Sequence, residues 1–114
     1  MKRIKSVVLF YNSKRKKALT FVRSLERRLK SRGVKIFKVC VNEGNCSFGK
    51  ADAGITVGGD GTVLYAARHV IKYDIPVLGI NAGGLGFLSG VERAGLEKCL
   101  DVFLNNGFKI YKSI

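Results

Sequence analysis

The sequence predicts an α/β fold in which parallel strands form one sheet and helices cover both of its faces. Short runs rich in β-branched and aromatic residues alternate along the chain with longer stretches whose apolar residues recur at helical spacing. The first strand-like run shows no alternation of polar and apolar residues, which is typical of a parallel strand buried on both sides. Because parallel strands joined by helices need right-handed crossovers, we expect a Rossmann-like three-layer domain.

The first two predicted elements are a strand and a long helix. Residues 6–11 are β-branched and aromatic and form the strand. The helix over residues 14–32 has Asn12 or Ser13 available as N-cap and Gly33 as its stop. Its apolar residues form one stripe at helical spacing, Ala18, Val22, Leu25 and Leu29.

A second strand is predicted at residues 34–41, and its mixed polarity favours an edge of the sheet. A loop rich in turn-forming residues, 42–50, separates it from a short apolar strand at residues 53–57. After a glycine-rich turn comes a helix that ends near residue 73. The inner face of this helix is predicted to consist of Leu64, Ala67, Val70 and Ile71.

The fourth predicted strand, residues 76–80, leads directly into a second glycine-rich loop at residues 81–88. A helix from about residue 92 to 105 follows, and residues 108–114 alternate like a strand. The apolar set of this last helix is Leu96, Leu100, Val102, Phe103 and Leu104. Both glycine-rich loops follow strands, so we expect both at the carboxyl edge of the sheet, where such folds bind ligands.

Length and composition indicate one globular domain over residues 1–114, with 46% apolar and 25% charged residues. No apolar run is long enough to cross a bilayer, so we expect a cytoplasmic protein without a membrane partner. The three cysteines are odd in number and lack a CxxC spacing, which indicates neither a disulfide framework nor a zinc site.

The net charge of +13 is confined to the first half of the chain. Residues 1–50 hold 15 Lys and Arg against two acidic residues, whereas residues 51–114 hold six of each kind. The first turn of the long helix carries Lys14, Arg15, Lys16 and Lys17, where the helix dipole disfavours cations. This patch is either a surface for an anionic partner or the solvated face of a basic helix, and composition favours the solvated face.

The turn Gly58-Gly59-Asp60-Gly61-Thr62 carries the main candidate chemistry, because glycines let a phosphate approach main-chain amides closely. Asp60 is placed to accept a proton from a hydroxyl that is being phosphorylated, although it could equally stabilise only its own turn. Thr62 offers a hydroxyl and is predicted to cap the following helix. Neither a GxGxxG fingerprint nor a phosphate loop ending in GK[ST] is present, and His69 has no catalytic partner in the sequence.

Two strings together closely resemble the paired motifs of NAD kinases: GGDGTVLYAARHV, which starts at Gly58, and PVLGINAGGLGFL, which starts at Pro76. NAD kinases transfer a phosphoryl group from ATP or inorganic polyphosphate to the adenosine ribose 2′-hydroxyl of NAD. The GGDGT pentapeptide is shared with lipid kinases and, in a close version, with phosphofructokinases. The second string, around Asn81 to Leu88, distinguishes NAD kinases within this superfamily.

The resemblance implies that Asp60 accepts the proton of the 2′-hydroxyl, that Phe87 and Leu88 lie near the adenine, and that a divalent metal ion, Mg²⁺, takes part. From the sequence alone, Phe87 could equally pack in the core. Tyr65 departs from the family pattern, which commonly has a basic residue there, so a phosphate contact from this position is not expected. The implied NAD and phosphate-binding residues are Gly58, Gly59, Asp60, Gly61, Thr62, Asn81, Gly83, Phe87 and Leu88.

Members of this family continue into a β-rich C-terminal domain that holds much of the NAD pocket. We therefore expect residues 1–114 to be the N-terminal domain of a homo-oligomeric enzyme and to be inactive alone. Two other functions stay open: a stand-alone module that binds nucleotides or, less expected, nucleic acid through the basic half, and a lipid kinase. A lipid kinase would carry a GTxND-like second motif, which this sequence lacks.

Overall fold

The computed structural model of the protein describes residues 3–43, 48–80 and 90–106. It contains four strands and three α-helices in alternating order: β1 (Ser6–Tyr11), α1 (Lys16–Ser31), β2 (Lys35–Cys40), β3 (Ala53–Val57), α2 (Asp60–Val70), β4 (Val77–Ile80) and α3 (Gly90–Asn106). The predicted loop at residues 81–88 and the predicted strand at residues 108–114 lie outside the described residues.

The four strands form one parallel sheet in the order β2-β1-β3-β4. The prediction of an edge position for β2 is confirmed, and its residues are mostly half-buried or exposed. By contrast, β3 lies inside the sheet and all five of its residues are buried. Burial on both faces explains why β3 is continuously apolar apart from Gly54 and Thr56.

Helices cover both faces of the sheet, so the predicted three-layer α/β architecture is confirmed. On one face, α1 and α3 pack together against the strands through one large apolar cluster. Its helical members are Ala18, Phe21, Val22, Leu25, Leu29, Leu96, Leu100, Phe103 and Leu104. On the other face, α2 contributes Ala66 and Val70 to a smaller cluster built on Val8, Phe10 and Val77.

The predicted inner face of α2 is wrong for Leu64 and Ile71, whereas Val70 is buried as predicted and Ala67 is half-buried. Leu64 is 61% exposed and Ile71 is 76% exposed, whereas the residues buried against the sheet are Thr62, Ala66 and Val70. The prediction chose the face of the helix with the largest apolar side chains. The buried face instead carries smaller residues at every fourth position, which allow the helix to approach the sheet closely. In α3, Val102 departs from its predicted apolar set in the same way, since it is 43% exposed.

The predicted N-cap of α1 is also wrong. Arg15 occupies the N-cap position and makes no side-chain hydrogen bond to the helix. The Asn12 side chain instead stabilises the turn before the helix, because its Oδ1 accepts a hydrogen bond from the Lys14 amide at 3.0 Å. Gly33 ends the helix region as predicted, with a φ of +74° that favours glycine.

Ion pairs connect α1 to α3 on their exposed edge. Arg28 and Arg32 both contact the Glu97 carboxylate, and Arg32 Nε lies 2.8 Å from Asp101 Oδ1. Hydrogen bonds from Arg32, and then from Arg28, hold the pKa of Glu97 below its ordinary value despite partial burial. These ion pairs neutralise basic side chains at the C-terminal end of α1 and involve none of the basic side chains in its first turn.

Candidate active site

The carboxyl ends of the strands lie side by side at one edge of the sheet. Tyr11 of β1 pairs with Val57 of β3, and Val57 in turn pairs with Ile80 of β4. From β1 the chain passes through α1 to β2, at one edge of the sheet. From β3 it passes through α2 to β4, at the opposite edge. The loops after β1 and β3 therefore diverge to opposite faces, and open α/β sheets bind their ligands in the crevice at such a topological switch point.

The glycine-rich turn of residues 58–61 lies on one side of this crevice, directly after β3. Gly58 is buried, and its amide donates a hydrogen bond to the Ile80 carbonyl at 2.9 Å. Gly59 is the N-cap of α2 and has an extended backbone, so the chain turns from strand to helix within two residues. The turn lies between a strand and a helix as predicted, but it is shorter than predicted, because residues 60–62 already belong to α2.

Asp60 is the first residue of α2, and its side chain is exposed. Within the described part of the chain, its carboxylate has no hydrogen-bond or ion-pair partner. The dipole of a helix favours negative charge at its N-terminus, which is where this carboxylate lies. An exposed carboxylate can be reached by a ligand, as an acceptor of protons requires.

The amides at the start of α2 provide donors beside this carboxylate. The first amides that bond within the helix region are those of Thr62 and Val63, and both reach the Gly59 carbonyl, at 3.1 and 3.3 Å. The amides of residues 59–61 precede them and have no partner inside the helix. Such a helix end attracts anions because its amides and its dipole both favour negative charge.

Thr62 does not cap α2, which corrects the sequence prediction. It is the third helical residue and is 8% exposed, with its hydroxyl directed at the backbone of Gly58. A Cβ at Gly58 would lie 2.6 Å from Thr62 Oγ1, so the two residues fit together only because Gly58 has no side chain. The threonine therefore fixes the turn, and it is not exposed beside Asp60.

The second predicted loop, with Asn81, Gly83, Phe87 and Leu88, lies outside the described residues. The strand that leads into it ends at Ile80, whose carbonyl accepts the hydrogen bond from Gly58. The turn at Asp60 is thus bonded to the last described residue before this loop.

Tyr65 and His69 lie on α2, away from the glycine-rich turn. The Tyr65 ring meets Phe10 edge-on at a centroid distance of 6.3 Å and lies 4.6 Å from the His69 ring. Both side chains are half-buried against the smaller core cluster or beside it. His69 is therefore a partly packed helix residue, and Tyr65 acts in packing.

Asn42, which the sequence predicts only as part of a loop, lies at this edge and makes side-chain hydrogen bonds. Its Oδ1 accepts hydrogen bonds from the Ser13 amide at 2.9 Å and from Cys40 Sγ at 2.7 Å, which ties the turn after β1 to the end of β2. Beside it, burial raises the pKa of Tyr11, while the ammonium group of Lys38, 5.6 Å from the ring centroid, opposes this shift. An asparagine directly after a strand is the only sequence signal that marks it.

Thr56 is the other unpredicted polar residue. It is fully buried in β3, and among residues 3–43, 48–80 and 90–106 its Oγ1 has no hydrogen-bond partner. A buried hydroxyl without a partner destabilises a protein by about 1–3 kcal/mol.

We expect Thr56→Val to raise the free energy of unfolding by about 1 kcal/mol, because a methyl group replaces the unpaired hydroxyl at similar volume. Urea unfolding followed by circular dichroism measures the change. Thr20→Val is the matched control: Thr20 is exposed and its Oγ1 donates to the Lys16 carbonyl at 3.1 Å, so this variant should gain no stability. A loss of stability in Thr56→Val would contradict the prediction and show that the hydroxyl has a partner in solution.

Comparison with known proteins shows which family the chain is similar to. A family model described as the ATP-NAD kinase N-terminal domain matches residues 43–108, more than half of the chain. An NAD kinase from Clostridium kluyveri is 35% identical over 98 residues, which cover 85% of this chain and 35% of that protein. An NAD kinase from Ruminiclostridium cellulolyticum is 49% identical over 57 residues, which cover 50% of this chain and 20% of that protein. The chain thus spans about a third or less of the length of these curated relatives.

Proposed function

Because the chain belongs to the family of ATP-NAD kinase N-terminal domains, we propose that it carries the catalytic carboxylate of an NAD kinase. The acceptor would be the adenosine ribose 2′-hydroxyl of NAD, the donor ATP or inorganic polyphosphate, and the product NADP. The observation that carries the proposal is the position of Asp60, an exposed carboxylate without a partner among the described residues, at the switch-point crevice. The relatives' names favour this function over a lipid kinase.

In the proposed reaction, Asp60 accepts the proton of the 2′-hydroxyl while the hydroxyl oxygen attacks the terminal phosphorus of the donor. A new bond forms between this oxygen and phosphorus, and the bond to the bridging oxygen of the leaving phosphate breaks. The electron pair of the broken bond stays on the leaving group, which departs as ADP or a shortened polyphosphate. The amides of residues 59–61 would stabilise the phosphate charge beside Asp60.

A Mg²⁺ ion fits this site only as a partner of the donor. Across the described ranges, no group of three or more His, Cys, Asp or Glu side chains converges to hold a metal ion. When bound, Mg²⁺ would be held mainly by phosphate oxygens and water, with Asp60 as the nearest available carboxylate, and would neutralise phosphate charge. This is the usual arrangement for Mg²⁺ at phosphoryl-transfer sites.

The residues that we propose for NAD beyond this turn are Asn81, Gly83, Phe87 and Leu88. Ile80, the last described residue before them, accepts the hydrogen bond from Gly58, which supports their assignment to the same site. The relatives' greater length supports a further proposal, that a β-rich C-terminal domain outside these 114 residues forms the other wall of the NAD pocket. In the described part of the chain, no helix has the length and apolar character needed to cross a membrane.

The test is NADP formation by residues 1–114 alone and by the same residues joined to the C-terminal domain of the Clostridium kluyveri relative. We expect no detectable turnover by the isolated chain and restored turnover by the chimera, since half of the NAD pocket is supplied only there. The relative's own two halves, rejoined in the same way, are the positive control. Turnover by the isolated chain would contradict the two-domain proposal, and an inactive chimera beside an active control would contradict the proposed function.

A further inference from the structure

Four consecutive cations lie at the turn that follows β1. Lys14, Arg15, Lys16 and Lys17, here called the basic turn, are all exposed. Within the described ranges, none of them has an ion-pair partner; the ion pairs of α1 involve Arg28, Arg32 and Glu26. The first turn of α1 also contains no acidic residue. The positive charge of this segment is therefore open to an external anion.

This placement opposes the stability of the helix. The N-terminus of a helix carries a partial positive charge, so each cation there costs about 0.3–1 kcal/mol, and the neighbouring charges repel one another. Cations that serve only to keep the helix surface solvated can lie in the middle and at the end of α1, where Arg23, Arg27 and Lys30 are exposed. Folding alone thus gives no reason for four cations in this turn.

The basic turn lies across the crevice from Asp60. β1 and β3 are hydrogen-bonded neighbours whose last residues, Tyr11 and Val57, are register partners about 4.8 Å apart. From these ends the chain continues into the basic turn on the α1 face and into Gly58–Gly61 on the α2 face. A ligand in the switch-point crevice therefore has the cations on one side and the carboxylate on the other.

We propose that the basic turn binds the phosphates of the phosphoryl donor. The chemistry that it fits is a linear chain of anhydride-linked phosphates, which carries several negative charges a few ångströms apart and matches consecutive flexible cations. The inference rests on the proposed function, because it assigns the inner phosphates of the donor to the α1 side of the crevice and the acceptor hydroxyl to the Asp60 side. The terminal phosphate would still reach the amides of residues 59–61 beside Asp60, while the rest of the donor charge lies at the basic turn.

The test measures binding of inorganic tripolyphosphate and of ATP to the 114-residue chain by calorimetry, without NAD and therefore without turnover. The first variant changes the four residues of the basic turn to Gln. The matched control changes four other exposed cations, so that the net charge is the same: Lys5, Arg23, Arg27 and Lys30. We expect the first variant to weaken binding of both ligands about tenfold or more, and the control to weaken it about threefold or less.

Equal weakening by both variants would overturn the proposal, because it would show general attraction of polyanions to a basic protein. Tighter binding of single-stranded RNA than of either phosphate ligand, weakened equally by both variants, would overturn it in favour of a nucleic-acid surface. Tighter binding of ATP than of tripolyphosphate would assign the donor as a nucleoside triphosphate, and the reverse order would assign it as inorganic polyphosphate.

Asp60→Asn distinguishes this inference from the proposed function. Binding of tripolyphosphate should be retained or strengthened in that variant, because a negative charge beside the crevice is removed, and its loss would contradict the proposed division of the site. Failure of the chimera to make NADP would leave the binding result unaffected. Misfolding does not explain the expected loss of binding, because removing cations from a helix N-terminus should raise the melting temperature of the first variant.

Discussion

Asp60→Asn is expected to reduce NADP formation by the two-domain enzyme by about 10²–10⁴-fold, the usual contribution of a general base. Asn has nearly the same shape as Asp but does not accept a proton from the 2′-hydroxyl. The side chain is exposed and has no partner among the described residues, so the fold should be unaffected. The measurement is the initial rate of NADP formation at saturating NAD and donor, with circular dichroism to verify folding.

Asp74→Asn is the matched control for the loss of one negative charge. Asp74 follows α2, is exposed, and has a left-handed backbone with a φ of +53°, which Asn also tolerates. This variant should keep nearly normal activity. Nearly normal activity in Asp60→Asn as well would mean that the aspartate only stabilises its turn, the alternative that the sequence left open.

The alternation of strands and helices was predictable because each element carries its own signal. β1 and β3 match their predicted ranges, and α1 buries its whole predicted stripe. The inner face of α2 was not predictable from side-chain size, because which face is buried depends on how closely the helix approaches the sheet. Small residues, Thr62 and Ala66, define that face, and no periodicity of large apolar residues reveals it.

The candidate site was predictable in part for a similar reason. A glycine-rich turn between a strand and a helix is local, so the sequence located Asp60 correctly between β3 and α2, but it placed the start of the helix after Thr62, whereas α2 begins at Asp60. The switch point between β1 and β3 depends on the order of strands in the sheet, which local patterns do not contain. For the same reason, the sequence could not show that Lys14–Lys17 and Asp60 flank one crevice.

Gly58→Ala is expected to destabilise the domain by about 2–4 kcal/mol, a large fraction of the stability of an ordinary domain. The backbone φ of +153° is one that residues with a side chain rarely adopt. The new Cβ would also lie 2.6 Å from Thr62 Oγ1 and 3.2 Å from Thr62 Cβ, at a buried position where neither group has room to move. Urea unfolding of the 114-residue chain measures the loss.

Two further variants separate these causes. Gly61→Ala adds the same methyl group at the residue directly after Asp60, where nothing lies within 4 Å of the new Cβ. This variant should leave the free energy of unfolding unchanged or raise it by up to about 1 kcal/mol. Combining Gly58→Ala with Thr62→Ala removes the 2.6 Å contact but keeps the backbone strain, so the double variant should be more stable than the sum of the two single changes predicts. Strict additivity would assign the whole effect to φ, and a Gly58→Ala variant as stable as Gly61→Ala would contradict the geometry of the turn that presents Asp60.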